Sequence, residues 1–117
     1  DIMDSKYYVQ FETARLLKDK GYPQENEWFY IDNGKGISPS WDGTHCDEED
    51  GVARPIYNEV LDWLENQKGV VITTDFDDVC DYRGRIHFKY RDSICLRWKH
   101  SRYEAINDAI LKSIELI

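Results

Sequence analysis

The sequence predicts an α+β fold, in which three amphipathic helices cover an antiparallel sheet of about five strands in a two-layer arrangement. Apolar residues recur with helical spacing in three segments, and three further segments in the second half of the chain have the composition or alternation of strands. The expected element order is α-β-β-α-β-β-β-α. The chain has 117 residues, 41% hydrophobic and 14% aromatic, which suits a single domain over residues 1–117.

The chain begins with a helix and a hairpin. An apolar stripe over residues 10–20 predicts the helix, and Gly21 can end it because glycine tolerates a left-handed backbone. Aromatic and β-branched residues at 28–31 predict a strand. Asn33-Gly34 is a strong signal for a hairpin turn, so a weak second strand is expected directly after it.

A long acidic loop is expected over residues 38–54, where no periodicity is visible and four acidic residues stand in a row at 47–50. Trp41 is unusual in this polar segment, because a large apolar side chain there must either fold back or meet a partner. Pro55 suits the first turn of the second helix, and Gly69 ends that helix.

Three strands and a helix are expected in the remainder of the chain. Residues 70–76 are rich in β-branched side chains, and residues 85–91 and 94–98 alternate between apolar and polar side chains. Ser101 and Glu104 have the spacing of a capping box, which predicts the start of the last helix.

Charge is distributed unevenly along the chain, which carries a formal net charge of -8. Residues 1–78 contain 18 acidic and 7 basic residues, whereas residues 79–117 contain 5 acidic and 8 basic residues. Strand alternation gathers basic side chains on one face of the sheet, opposite an apolar face. The predicted basic face consists of Arg85, His87, Lys89, Arg91, Arg97 and Lys99. The predicted apolar face consists of Ile86, Phe88, Tyr90, Ile94, Leu96 and Trp98.

The basic face has two interpretations. It can be the ordinary solvated side of an antiparallel sheet, covered in part by the acidic segments 47–50 or 75–81 of the same chain. It can also be a docking face for an acidic partner, because charge of one sign on a rigid surface focuses the electrostatic potential. Nucleic acid is the weaker partner class, because the flanking acidic segments repel phosphate and no aromatic side chain is expected on this face to stack with a base.

Four aspartates follow a predicted strand: Asp75, Asp77, Asp78 and Asp81. Such a cluster can hold Mg²⁺ or Ca²⁺, which prefer oxygen ligands, although Arg83 and Arg85 are near enough to neutralise it instead. Histidines and cysteines lack the spacing of a zinc site, and no motif of a catalytic nucleophile occurs. We therefore assign no catalytic residue, no metal site and no cofactor.

Three cysteines without paired spacing, and an N-terminus without an apolar stretch, indicate a cytoplasmic protein with reduced thiols. No run of about 18 apolar residues occurs, so no membrane partner is expected.

Three segments carry a resemblance to known sequences. Residues 11–22 contain the pattern F-E-x-A-x-L-x-K-x-K-G, residues 54–65 contain a Pro-initiated helix with a Trp-Leu pair, and residues 103–117 match a last helix rich in Ala, Glu and Leu. In these segments the chain resembles a group of small uncharacterised proteins from gut Bacteroidales chromosomes, prophages and other mobile elements. The resemblance implies a small, phage-linked cytoplasmic protein with no assigned activity and no catalytic residues to carry over.

The sequence thus predicts a non-enzymatic interaction module that binds an acidic protein, or a second copy of itself, through the basic face or the loop that holds Trp41. Two alternatives remain open. One is a small metal-dependent enzyme that uses the acidic cluster at 75–81, and the other is a nucleic-acid-binding protein that uses the basic face.

Overall fold

The computed structural model describes residues 5–40, 42, 46, 50–79 and 81–117. Its helices are α1 (Phe11–Asp19), α2 (Tyr57–Lys68) and α3 (Arg102–Leu116). Its strands are β1 (Trp28–Ile31), β2 (Gly36–Pro39), β3 (Val52–Ala53), β4 (Val70–Phe76), β5 (Tyr82–Phe88) and β6 (Ile94–Cys95). The strands form two three-stranded antiparallel sheets, which confirms the α+β class. No helix in the described part of the chain is long and apolar enough to cross a membrane.

The chain groups into two compact units, Asp1–Ile56 and Tyr57–Ile117. The first unit contains α1 and the sheet β2-β1-β3, and the second contains α2, α3 and the sheet β4-β5-β6. The strands that were expected in one sheet therefore belong to two, and the end of the predicted loop supplies the additional strand β3. The prediction of a single domain over residues 1–117 stays a prediction.

In the first unit, the central strand β1 pairs antiparallel with β2 and β3. Its register places Phe29 opposite both Ser38 and Ala53, and the Phe29 side chain is buried. Helix α1 packs against β3 and buries Ala14 and Leu17, as its apolar stripe predicts.

The predicted turn at Asn33-Gly34 joins β1 to β2 as a tight turn, in which Asp32, Asn33 and Gly34 all have positive φ and the Lys35 N–H donates to the Asp32 carbonyl. Glycine is also needed at position 34 for space, because a Cβ atom there would overlap the ring of Phe11. The turn is thereby packed against α1.

In the second unit, β5 pairs antiparallel with β4 and β6. Helix α3 packs across β5 and β4, while α2 packs against β4 and α3. The buried apolar core of this unit includes Val60, Leu64, Val70, Ile86, Ile106 and Ile110. Ser101 is the N-cap of α3, as predicted, because its Oγ accepts a hydrogen bond of 3.2 Å from the Glu104 N–H.

Gly84 marks the point where α3 lies closest to β5. A Cβ atom at Gly84 would lie 2.8 Å from Ala109 Cβ and 2.9 Å from the Ala105 carbonyl oxygen, so α3 approaches the strand too closely for any side chain. Gly84 and its neighbour on the same face, Ile86, are both buried. The odd-numbered residues of β5 therefore lie on the face that α3 leaves open.

Strand β5 spans residues 82–88 and not 85–91. It begins earlier because Tyr82 pairs with Phe76, and it ends at Phe88 because the following residues bend toward β6. Tyr90, which the alternation placed inside, is 88% exposed. The prediction for Tyr90 was wrong because alternation orients side chains only as far as the last paired residue of a strand.

Candidate interaction surface

The open face of the second sheet carries fewer unpaired charges than its sequence suggests. In the antiparallel register of β4 and β5, Asp75 lies opposite Arg83, and Thr73 lies opposite Arg85. Asp75 Oδ2 accepts hydrogen bonds of 3.0 Å from both Arg83 Nε and Arg85 Nη2. One carboxylate thus partly neutralises two arginines. This agrees with the interpretation in which the acidic segment 75–81 covers part of the basic face.

These contacts also shift the pKa values of Asp75 and Arg85. The hydrogen bonds from Arg83 and Arg85 lower the pKa of the Asp75 carboxyl from its ordinary value. The hydrogen bond and the charge of Asp75 in turn raise the pKa of the Arg85 guanidinium. Both shifts favour the ionised pair. Of the other predicted residues on this face, His87 Nε2 is hydrogen-bonded to Thr73 Oγ1 at 2.8 Å.

One extra residue after β6 breaks the predicted alternation. Cys95 lies opposite Arg85, which would place residue 98 opposite Tyr82, yet it is Lys99 that pairs with Tyr82. This is the two-against-one count of a β-bulge, so the side chains beyond it change face. Lys99 consequently lies on the side of Tyr82, and its predicted place on the open face was wrong.

Trp98 comes to the open face for the same reason. The Arg83 guanidinium lies 4.7 Å from the centre of its ring, and the side chain is 42% exposed. The expectation that this face carries no aromatic residue was therefore wrong. Arg97 is exposed beside it, and no described carboxylate lies within ion-pair distance of Arg97.

A groove lies at the end of β5, where α2 turns into β4. It has a volume of about 360 Å³, and its lining residues are Lys68, Gly69, Phe88, Lys89, Tyr90 and Arg91. We call it the cationic groove, because three of these six residues are basic and none is acidic. Among the described residues, no carboxylate forms an ion pair with Lys68, Lys89 or Arg91.

Aromatic rings hold the cations of the groove. The Arg91 guanidinium lies 3.9 Å from the centre of the Phe88 ring, and Lys89 Nζ lies 5.4 Å from the centre of the Tyr90 ring. Lys68 Nζ lies 5.4 Å from the Trp63 ring on α2. Cation–π contacts of this kind restrict the long side chains without neutralising them, so their charges remain available to a ligand.

The structure thus separates the predicted binding residues. Lys89 and Arg91 meet in the cationic groove, whereas Arg85 and His87 lie on the open face and are engaged by Asp75 and Thr73. Trp41 lies outside the described residues.

Four residues of the groove were not predicted as binding residues: Lys68, Gly69, Phe88 and Tyr90. The register that pairs Val70 with Phe88 brings Lys68 beside Lys89, although the two lysines are far apart in the chain. The sequence shows that a helix ends at Gly69 and that a strand starts at Val70. It does not show that β5 pairs with this strand. The polar residues at 90–93 predict a turn, and ending the strand before this turn would have predicted that Tyr90 is exposed.

Asp77 and Asp81 of the acidic cluster at 75–81 make hydrogen bonds within the second unit. Asp77 Oδ1 accepts hydrogen bonds from the backbone N–H groups of Val79 and Asp81, at 3.1 and 2.9 Å, and so organises the β4–β5 turn. Asp81 Oδ1 lies 3.2 Å from His100 Nδ1. In the described ranges, no three His, Cys, Asp or Glu side chains come together in a way that could hold a metal ion.

Comparison with known proteins gives no match. No protein-family model matches the chain, and neither a curated protein nor a solved structure matches it. The functional interpretation therefore depends on the geometry and charge of the cationic groove and of the open sheet face beside it.

Proposed function

We propose that this protein is a non-enzymatic interaction module that binds an acidic partner protein in the cationic groove. The observation that supports this most directly is the set of residues around the groove, of which three are basic, two are aromatic and none is acidic. Such a lining attracts carboxylates and at the same time offers apolar surface to a neighbouring side chain.

The charges of the groove are well placed to steer a partner. Lys68 ends α2 and Lys89 directly follows β5, while Arg91 lies in the bend after β5 and stacks on the Phe88 ring of that strand. A local positive potential on an otherwise acidic chain therefore directs an acidic partner to this site.

The aromatic residues give the groove a second kind of contact. Tyr90 is largely exposed, and Phe88 forms the wall on which Arg91 stacks. Stacking covers the face of the Arg91 guanidinium but leaves its N–H edge free to bind a carboxylate with two hydrogen bonds. A partner that presents an apolar side chain next to acidic ones would use both the ring and the guanidinium edge.

The proposal is tested with a short fluorescein-labelled peptide of Glu and Asp residues that has one central Phe. We expect the double substitution Lys89→Gln/Arg91→Gln to weaken peptide binding about tenfold, because each partly exposed charge contact contributes about 0.5–1 kcal/mol. Fluorescence anisotropy at about 50 mM and about 500 mM salt measures the affinity, and the wild-type protein should bind far more weakly at high salt.

The control is Lys20→Gln/Lys35→Gln, which removes the same charge from two exposed lysines of the first unit. It should leave the affinity within about twofold of wild type. Equal losses in both double variants would show that net charge alone attracts the peptide, and absence of binding at low salt would contradict the proposal outright.

Nucleic acid is a second candidate partner, favoured by the pairing of exposed aromatic rings with cations. Arg83 with Trp98 and Lys89 with Tyr90 are combinations that can stack bases and contact phosphates. Binding of a labelled single-stranded oligonucleotide would then weaken with salt with a log–log slope of about -2, since each neutralised phosphate contributes about 0.7. A flat slope, or no binding, would exclude this candidate.

The cellular setting in this proposal follows from the resemblance to Bacteroidales and prophage proteins. It is a cytoplasmic module of a mobile element, whose acidic partner is encoded nearby. Gene neighbours that recur beside homologous genes, and that include an acidic protein, would support this setting.

A further inference from the structure

Strand β4 forms an unpaired edge of the second sheet. The strand order is β4-β5-β6, so β4 has a neighbouring strand on one side only. Its seven residues, Val70–Phe76, make it as long as the central strand β5. In the described part of the chain, no backbone group pairs with the outer side of β4. An edge of this length is a template on which a further strand can pair.

The pairing of β5 shows which backbone groups of β4 point outward. Tyr82 and Lys99 exchange hydrogen bonds, so Tyr82 and every second residue after it in β5 point their N–H and C=O groups toward β6. The residues between them point these groups toward β4, where Arg85 lies opposite Thr73. Residues 71, 73 and 75 of β4 therefore bond to β5. The N–H and C=O groups that point outward belong to Val70, Ile72, Thr74 and Phe76.

The sequence of β4 lacks the features that protect most edge strands. Natural edges often carry a lysine, a proline or a bulge, each of which prevents another strand from pairing. Residues 70–74 are Val, Val, Ile, Thr and Thr, which all favour strands and carry no charge. The charged residue of the strand, Asp75, is held by Arg83 and Arg85. Val71 and Phe76 are 37% and 60% exposed, so apolar surface is open along the strand.

In one antiparallel register, β4 is complementary to a second copy of itself. Because both end residues of the strand point their hydrogen-bonding groups outward, a two-fold axis at Thr73 pairs all seven residues. Val70 then exchanges hydrogen bonds with Phe76 of the second copy, and Ile72 exchanges them with Thr74 of the second copy. The exposed Phe76 ring is covered in this register. A shift along the strand would leave end residues of both copies unpaired.

The charges beyond the two ends of β4 favour the same antiparallel orientation. Lys68 lies just before the strand, where it is exposed and forms no ion pair with a described carboxylate. Asp77 and Asp78 directly follow the strand. Antiparallel pairing brings the basic end of each copy beside the acidic end of the other, and the two-fold axis repeats this favourable contact. Parallel pairing would instead place like charges together.

From the outward backbone groups, the register and the charges at the two ends, we infer that the protein forms a two-fold symmetric dimer through β4. The two three-stranded sheets join into one antiparallel sheet of the order β6-β5-β4-β4-β5-β6. Backbone hydrogen bonds between the two β4 strands supply the affinity, as in other complexes that add a strand to a sheet edge. This interface differs from the cationic groove, in which Lys89 and Arg91 follow β5.

The molar mass in solution tests the inference. We expect sedimentation equilibrium of the full chain at about 100 µM to give twice the chain mass of 13.9 kDa. Thr74→Pro removes an outward N–H group but keeps the bonds that residues 73 and 75 make to β5, so it should give the mass of one chain. Thr74→Val, which keeps the N–H group, is the matched control and should remain a dimer. Circular dichroism checks that both variants are folded.

Disulfide cross-linking tests the register and decides alone if Thr74→Pro does not fold. Thr73→Cys places two thiols opposite each other at the two-fold axis, where the Cα atoms of a non-hydrogen-bonded pair lie about 4.5 Å apart, within the range of a disulfide. In Val71→Cys, the two introduced thiols lie more than about 13 Å apart along the paired strands. After mild oxidation, a non-reducing denaturing gel should show a covalent dimer for Thr73→Cys, but not for Val71→Cys or wild type.

A wild-type mass of one chain at about 100 µM would overturn the inference, as would a dimer that a folded Thr74→Pro variant leaves intact. Cross-linking of Val71→Cys as strong as that of Thr73→Cys would also overturn it. Because Lys89→Gln/Arg91→Gln leaves β4 unchanged, that variant should keep the dimer mass. Loss of peptide binding in the groove and loss of the dimer are therefore independent results.

Discussion

At the scale of single residues, the Asp75 carboxylate controls how much positive charge the open sheet face presents. It accepts hydrogen bonds from Arg83 and Arg85, and all three side chains are about one-third exposed. Solvent screens an ion pair at this level of exposure, so its contribution to stability is modest. Its larger effect is on charge distribution, because it leaves Lys89, Arg91 and the groove as the more strongly positive surface.

The lowered pKa of Asp75 gives a prediction about pH. A carboxyl whose pKa is lower in the folded state contributes stability above its unfolded pKa of about 3.9, and this contribution is lost as the pH falls through the folded pKa. We expect NMR titration of the Asp75 carboxyl carbon to give a pKa below about 3.9. Arg83→Gln/Arg85→Gln should return it toward that value.

Arg97→Gln is the matched control for this titration, because Arg97 is exposed and makes no contact with Asp75. Arg97→Gln should leave the pKa of Asp75 unchanged. An Asp75 pKa at or above the ordinary value in wild type would show that the two arginines do not hold the carboxylate in solution.

At the scale of elements, the contact between α3 and β5 depends on small residues. Gly84 on the strand faces Ala105 and Ala109 on the helix, and these two alanines are fully buried. Small residues on both sides let the two backbones approach, which brings Ile106 and Ile110 of α3 into the core. The orientation of the sheet, with one face covered and one open, follows from this contact.

We therefore expect Gly84→Ala to destabilise the protein by about 1–3 kcal/mol, because the added methyl group would overlap the Ala105 carbonyl and the Ala109 side chain. Urea unfolding followed by circular dichroism measures the change. Gly36→Ala is the control, since its added Cβ approaches only the Ile31 side chain closely, at 3.1 Å, and meets backbone no nearer than 4.0 Å, so it should cost less than about 1 kcal/mol. Equal costs at the two positions would contradict the close packing of α3 on β5.

Most helices and strands were predictable from local patterns. The apolar stripe of α1, the proline before α2 and the capping box of α3 act within a few residues, so one sequence is enough to reveal them. Strand β3 was missed because it has only two residues, Val52 and Ala53, and its pairing with Phe29 and Tyr30 is a long-range contact. No local pattern marks so short a strand.

The candidate site was less predictable than the fold, because it depends on strand register. A single extra residue between Cys95 and Lys99 moves Trp98 and Lys99 to faces opposite to those that strict alternation gives. Lys68 enters the groove through the pairing of Val70 with Phe88, which brings together residues from two distant segments. Lys89 and Arg91 were found because the concentration of positive charge around them is local in sequence.

At the scale of the whole molecule, charge is divided unequally between the two compact units. Residues 1–56 contain 12 acidic and 6 basic residues, whereas residues 57–117 contain 11 acidic and 9 basic residues. The second unit is therefore closer to neutral, and six of its nine basic residues lie at the groove or on the open sheet face. An acidic partner is repelled by most of the chain and attracted at one place, which favours a defined binding orientation.

The second unit has its own sheet, helices and apolar core, so we expect a fragment of residues 57–117 to fold by itself. A domain of about 60 residues is marginally stable, and its thermal midpoint should lie below that of the full chain. Circular dichroism should show its helices, and anisotropy should show binding of the acidic peptide.

A fragment that folds but does not bind the peptide would remove the cationic groove as the binding site. A fragment with the spectrum of an unfolded chain would show that residues 57–117 need the rest of the protein for stability. The fragment of residues 1–56, tested with the same peptide, is the control and should not bind.

Two tryptophans of the second unit lie beside cations, so their fluorescence can report the binding of a ligand to this unit. Trp63 contacts Lys68 of the groove, and Trp98 contacts Arg83 on the open face. Indole emission responds to nearby charge and hydration, so a ligand that enters the groove should perturb the fluorophore at 63, and one that covers the sheet should perturb the fluorophore at 98. Single-tryptophan variants would then locate a bound ligand without any label attached to it.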